Sequence, residues 1–267
     1  MGPPWLAHGD TPALSAHRRQ ERWGTELRMK AVPPYLQSEN HPQARVCASC
    51  EVRSGALFGV LDPNSIVRIH TDIDDPSLPA ETRIYARGEP GTAVYTVRAG
   101  IVRFQRLTAG GQRRIVRLAG RGDLIGQEAL LQQPYADEAV SCTPVQLCRI
   151  PSHLVGHLGQ ADGTLTHELM RRWQQALEQA GLWATELTSG VARQRVLKLL
   201  GELSRLADES GEIWMPRRED MGAMLDLTVE TASRMVSQLR REGVLKSLSQ
   251  RRAVLDPDAL ARALAAG

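Results

Sequence analysis

The chain has 267 residues, 42% hydrophobic and 24% charged, with a formal net charge of +3. This is the balance of a soluble globular protein long enough for two cores. The charge neither proves nor opposes a nucleic-acid partner, because local patches decide phosphate contacts. No apolar run reaches membrane-spanning length and no basic-then-apolar leader opens the chain, so the expectation is a cytoplasmic protein with no membrane partner. In that compartment four cysteines read as free thiols, metal ligands or redox sensors rather than structural disulfides.

Residues 1–45 read as a flexible N-terminal extension, with Pro3, Pro4, Pro12, Pro33, Pro34 and Pro42 and no sustained period. Met29 is an alternative start within it. Residues 46–160 open on Cys47-Ala48-Ser49-Cys50 and continue as strands and turns. Val94–Val97 and Ile101–Leu107 flank Ala99-Gly100, and Ala109-Gly110-Gly111-Gln112 leads into Arg114–Leu118. Short strands joined by glycine turns point to a jelly roll or barrel. A cupin-type enzyme would share that architecture but would carry a His-X-His cluster, and His70, His153, His157 and His167 are scattered instead.

Residues 161–190 switch to helical period. Leu165, Leu169, Trp173, Ala176, Ala180, Trp183 and Leu187 form a heptad-like stripe, which reads as a dimerisation helix. The alternative is a helix packed on its own barrel. Gly181 within it costs about 1 kcal/mol relative to alanine.

Residues 191–267 read as a winged helix-turn-helix. Val196, Leu199, Leu200 and Leu203 make a first amphipathic helix. Asp220 to Leu225 is a short helix with apolar Met221, Met224 and Leu225. Gly222 permits close approach, and Asp226 takes a left-handed turn position. Thr228 caps a second helix whose apolar stripe is Val229, Ala232, Val236 and Leu239. Its other face carries Glu230, Ser233, Arg234 and Ser237. An arginine bonds guanine O6 and N7 together, a carboxylate accepts from cytosine N4, and a serine serves base or phosphate. A hairpin over Val244–Leu255 forms the wing, with Arg251 and Arg252 near its tip to reach phosphates. Pro257 to Ala266 closes as a helix.

These features resemble the Crp/Fnr family of bacterial transcription regulators over about residues 46–265. Gly88-Glu89-Pro90-Gly91, Gly100, Gly110-Gly111 and Gly120-Arg121-Gly122-Asp123-Leu124-Ile125-Gly126-Gln127-Glu128 are similar to the family's sensory β-roll. Leu227-Thr228-Val229-Glu230-Thr231-Ala232-Ser233-Arg234 is similar to its recognition helix. The resemblance implies an α+β fold: a double-stranded β-roll of the cyclic-nucleotide-binding type, a long dimerisation helix and a C-terminal winged helix-turn-helix. It implies a homodimer on a palindromic, TTGAT-like operator and contact with RNA polymerase. Arg234 would take the guanine of the half-site, and Glu230 the opposing cytosine or a neighbouring adenine. The family's usual turn glycine is Asp226 here.

The sensed signal stays open. Cyclic-nucleotide members of the family grip phosphate with Arg-Ser, where this chain has Asp137-Glu138, which argues against a cyclic nucleotide. Oxygen-sensing members hold an iron–sulfur cluster on three cysteines before the roll and one inside it. Cys47 and Cys50 match the start of that loop and Cys148 the internal ligand. The third N-terminal position holds Ala56 or Phe58. Cys142, six residues before Cys148, would share a face with it on an unbroken strand, though Pro144 intervenes. Cys47, Cys50, Cys142 and Cys148 then supply the four thiolates of a cluster or zinc site, or they are ordinary cysteines of a chain without metal, or Cys47 and Cys50 form a dithiol switch. The leading reading is an effector- or redox-responsive DNA-binding regulator, not an enzyme. The alternatives are a constitutive DNA-binding protein with a degenerate sensor, and a metal-dependent β-roll enzyme.

Overall fold

The computed structural model describes residues 50, 52, 56–60, 72–161, 163–249 and 251–266. The extension over residues 1–45, Met29 and Cys47 lie outside them.

Eight short strands build two four-stranded antiparallel sheets. β1 (Ser77–Leu78), β8 (Val145–Pro151), β3 (Ala93–Ala99) and β6 (Leu124–Ile125) form one, in that order. β2 (Arg83–Tyr85), β7 (Glu138–Ser141), β4 (Val102–Leu107) and β5 (Arg113–Ala119) form the other. Val94, Val97, Val102, Phe104, Leu147 and Ile150 share one buried core. The β3–β4 turn requires Gly100, which has φ 86° and would put a Cβ 2.3 Å from the Pro144 carbonyl oxygen.

The expected common strand for Cys142 and Cys148 does not form. β7 ends at Ser141, and the chain turns through Thr143 and Pro144 into β8 of the opposite sheet. Proline cannot donate to a continuing ladder, so the break falls there. Cys142 joins the hydrophobic cluster shared with the C-terminal region, while Cys148 packs against the core of the roll.

After α1 (Ser152–Ala161), α2 (Gly163–Glu186) runs along the roll. Leu165 enters the core of the roll. Buried Arg172 donates its Nη1 to the Gly122 carbonyl at 2.9 Å and its Nε to Glu168 at 2.7 Å. Trp183, with Leu187 just beyond the helix, enters the C-terminal core. The seven-residue stripe is therefore not one outward seam. Leu165, Trp183 and Leu187 are committed within the protomer, and Leu169 packs against the roll. Leu182 is 49% exposed, and the more outward apolar side chains are Met170 and Leu177, 54% and 68% exposed. They fall in step with partly buried Trp173 and exposed Ala180. Spacings of three and four fit two neighbouring helix faces, and the stripe read from sequence drifts between them.

The C-terminal region begins with α3 (Ala192–Ser204), whose Val196, Leu199, Leu200 and Leu203 are fully buried. A three-stranded sheet of order β10-β11-β9 forms the wing, from β9 (Glu212–Trp214), β10 (Leu245–Ser249) and β11 (Arg252–Leu255). α4 (Arg218–Leu225), α5 (Val229–Arg241) and α6 (Pro257–Ala265) complete it. Its core is continuous with Ile101, Ile115 and Leu118 of the roll. Each such buried side chain contributes about 1.5–3 kcal/mol.

Candidate nucleic-acid interface

α4, its turn and α5 are held by identifiable bonds. Asp226 ends α4 in the left-handed conformation, φ 56° and ψ 49°. A Cβ on Gly222 would meet the Leu227 carbonyl oxygen at 2.6 Å, so glycine lets the turn close. Arg195 of α3 donates to the Leu225 carbonyl at 2.7 Å, fixing the turn from behind. The Thr228 hydroxyl accepts from the Thr231 amide at 3.2 Å. It thus caps α5 and satisfies one orphan donor of the first turn.

α5 buries Ala232, Val236 and Leu239. Val229, expected in the same stripe, is 38% exposed, because the first helical position swings away from the core. Glu230, Arg234 and Ser237 are exposed and Ser233 is half-buried, all on one face. Hydrogen bonds from its own amide and from the Thr228 hydroxyl hold the Glu230 carboxyl below its ordinary value. It is therefore an acceptor at neutral pH. Arg234 makes no ion pair among the described residues, which leaves its guanidinium available. Arg217 and Arg218 at the start of α4 and Arg240 near the end of α5 line a groove of about 380 Å³. Burial, and then the like charge of Arg240, lower the Arg218 pKa, so an anion in that groove would relieve a repulsion.

The wing arginines are engaged elsewhere. Arg252 donates to Glu212 at 2.5 Å and to Asp208 at 3.3 Å. Arg251 donates to Glu81 of the roll at 3.0 Å and lies 3.9 Å from Asp220. In this arrangement the Arg251 side chain is 29% exposed and that of Arg252 56% exposed, both ion-paired within the protomer, and both line the same groove as Arg217, Arg218 and Arg240. The acidic partners lie far away in sequence, so no local pattern announces them.

In the roll, the segment after Gly126 is packed by tyrosines. Tyr135 stacks on Tyr85 at 3.9 Å between centroids, and its hydroxyl donates to the Ala93 carbonyl at 2.8 Å. Burial, then the charge of Glu128, holds the Tyr85 phenol well above its usual range. Asp137 is ion-paired to Arg106 at 2.6 Å, and Glu138 accepts from Gln105 at 2.8 Å. Arg106 thus partly neutralises Asp137, and Arg83 lies 3.8 Å from Glu138, which weakens simple charge repulsion as the argument against a cyclic phosphate.

Residues 76–162 match the cyclic nucleotide-binding domain model and residues 194–263 the Crp-like helix-turn-helix domain model. The chain belongs to the Crp/Fnr family. Within that family it is 26% identical to the nitrogen fixation regulation protein FixK of Bradyrhizobium diazoefficiens, over 84% of this chain and 96% of that protein. It is 28% identical to the cyclic AMP receptor protein of Thermus thermophilus, over 73% of this chain and 90% of that protein. The solved structure of FixK2 from Bradyrhizobium japonicum superposes with a TM-score of 0.65 at 27% identity, covering 71% of this chain and 96% of that one. The protein is a DNA-binding transcription regulator of the Crp/Fnr family. No helix among its described residues is long and apolar enough to cross a membrane.

Of the four cysteines, Cys50, Cys142 and Cys148 lie among the described residues, and these three do not converge as a metal site there. Burial pushes the Cys142 thiol up to about 12, against the opposing charge of Arg103. Cys148 lies in the other sheet. Cys50 is half-buried and lines, with Cys142, a cleft of about 1180 Å³ between roll and wing. No three His, Cys, Asp or Glu side chains converge as a metal site among the described residues.

Proposed function

We propose that this Crp/Fnr protein acts as a homodimer that reads a palindromic, TTGAT-type operator through Glu230, Ser233 and Arg234. The observation that carries the reading is the capped, solvent-facing polar face of α5. It is rigidly backed by α3 and α4, with Arg234 unpaired among the described residues. Arg234 takes guanine, Glu230 accepts from the opposing cytosine or an adenine amino group, and Thr228 and Ser237 approach the backbone. The partner protomer packs on the α2 face that carries Met170, Trp173, Leu177 and Ala180. RNA polymerase is the further partner, and the cytoplasm the location.

The roll responds to a small effector or to the thiol state of the Cys47-Cys50 pair. The signal is not a cyclic nucleotide, a reading supported by the tyrosine packing around Gly126. An iron–sulfur cluster on Cys47, Cys50, Cys142 and Cys148 is not part of this reading, because the described donors do not fit it. The same tyrosine packing favours a second reading, a constitutive regulator with a degenerate sensor.

Competition binding with duplexes substituted one base pair at a time tests the proposal. Arg234→Ala should lose about 1–3 kcal/mol of discrimination at one position of each half-site. Equal binding of the palindrome and of scrambled DNA by the native protein, with and without reductant, would sink it.

A further inference from the structure

Arg251 stands at the junction of roll and wing. Its backbone is left-handed, φ 62°, and its carbonyl accepts from the Met215 amide at 2.9 Å, which fixes the wing tip. The side chain crosses to the roll, passing 5.3 Å from the centre of the Trp214 ring. Its Nη1 donates to Glu81, in the turn between β1 and β2, at 3.0 Å. Glu81 also accepts from Arg103 at 2.8 Å, and Asp220 of α4 accepts from Arg113 at 2.6 Å. Three arginines therefore share two carboxylates, one from each side of the junction.

Arg251 is the least satisfied of the three. Its Nε and Nη2 are buried with no hydrogen-bond partner among the described residues. Buried donors without acceptors are costly, and a guanidinium is built for bidentate recognition of phosphate. Its present pose is therefore held by one hydrogen-bonded ion pair from the roll, with the Asp220 carboxylate 3.9 Å away, and a better acceptor would draw it away.

We propose that Glu81 is a positioning residue that withholds Arg251 from DNA, so that the β1–β2 turn of the roll sets how many phosphates the wing neutralises. With Glu81 engaged, the reading face of α5 is presented without its wing cation. With Glu81 withdrawn, Arg251 reaches an operator phosphate. Affinity then changes while base readout by Glu230, Ser233 and Arg234 does not. This inference rests on the DNA-binding reading above.

The test is a fluorescence anisotropy titration of full-length protein with a duplex carrying palindromic TTGAT half-sites and with its scrambled counterpart, at several salt concentrations. Glu81→Gln should bind both duplexes about 3- to 10-fold more tightly, with a salt slope steeper by about 0.9 per protomer. Arg251→Gln combined with Glu81→Gln should erase the gain, leaving the affinity of Arg251→Gln alone. A Glu81→Gln protein with native affinity and native slope overturns the proposal while the regulator reading stands. A gain that survives Arg251→Gln overturns it too. Failure of native protein and every variant to bind either duplex removes the regulator reading and this one with it.

Discussion

Arg113 of the β-roll and Asp220 of the first reader helix lie 2.6 Å apart, and Asp220 is 3% exposed. This ion pair joins strand β5 to the reader across 107 residues of sequence. Arg114, next along the same strand, pairs with Asp226 at the reader turn at 2.5 Å. The turn that aims the recognition helix is thus fixed from α3 by Arg195 and from the roll by Arg114.

Asp220→Ala leaves Arg113 without its buried acceptor and removes the carboxylate 3.9 Å from Arg251. It should destabilise the protein by about 3 kcal/mol, in the range for breaking a buried pair. Arg113→Ala should cost less, because Arg251 remains close to the carboxylate. Urea unfolding midpoints of the two variants check this order, and equal, small effects would contradict it.

The outward face of α2 gives a sharper test of assembly than the stripe read from sequence. Leu177→Glu should yield a folded monomer that binds single half-sites weakly. Leu165→Glu should unfold the roll instead. Sedimentation velocity and circular dichroism separate these outcomes, and a dimeric Leu177→Glu protein would discard the seam.

Gly222→Ala places a methyl group against the Leu227 carbonyl, with no flexible side chain to give way. The expected cost is about 1–3 kcal/mol, as for other overpacked sites. Operator affinity should fall more than bulk stability explains, because the turn must open to admit the group. Thr228→Ala should cost about 1 kcal/mol through loss of the cap. Thermal unfolding and DNA titration of both variants measure these effects.

The Cys142 thiol gives a pH dependence of definite sign. An unfolded thiol ionises near about 8.5, whereas Cys142 ionises only at about 12. Below the unfolded value both states hold the proton and the stability is fully present. Between the two values only the folded state keeps it, so stability falls as pH rises, by up to about 1.4 kcal/mol per unit. Melting temperatures at pH 7.5 and 9.5 should drop further for the native protein than for Cys142→Ala. Alkylation at neutral pH should spare Cys142 until the protein is unfolded.

Much of the reader was legible in the sequence because its signals are local. The Thr228 cap, the left-handed Asp226 and the buried Met221, Met224 and Leu225 each follow from neighbours within a few residues. Glycine turns between short strands exposed β3, β4 and β5 for the same reason. Long-range geometry was not legible. The turn at Pro144 sends Cys142 and Cys148 into different sheets, a result that spacing alone reversed. The partners of Arg251 and Arg252 are acids elsewhere in the chain, and β9, too short to show a period, completes the wing. On α2, periodicity identified a helix, but only packing decided which face was already taken.

The continuity between Ile101, Ile115 and Leu118 and the reader's Trp214, Met221 and Leu200 bears on how such proteins are recombined. Sensor and reader follow one another along the chain as if they were exchangeable cassettes, yet neither can be lifted out dry. A chimera joined after α2 would leave the isoleucines of the roll facing water unless the incoming reader carried matching apolar side chains. The joint that matters for swapping is therefore the oily floor beneath the wing, not the peptide link where one segment ends and the next begins.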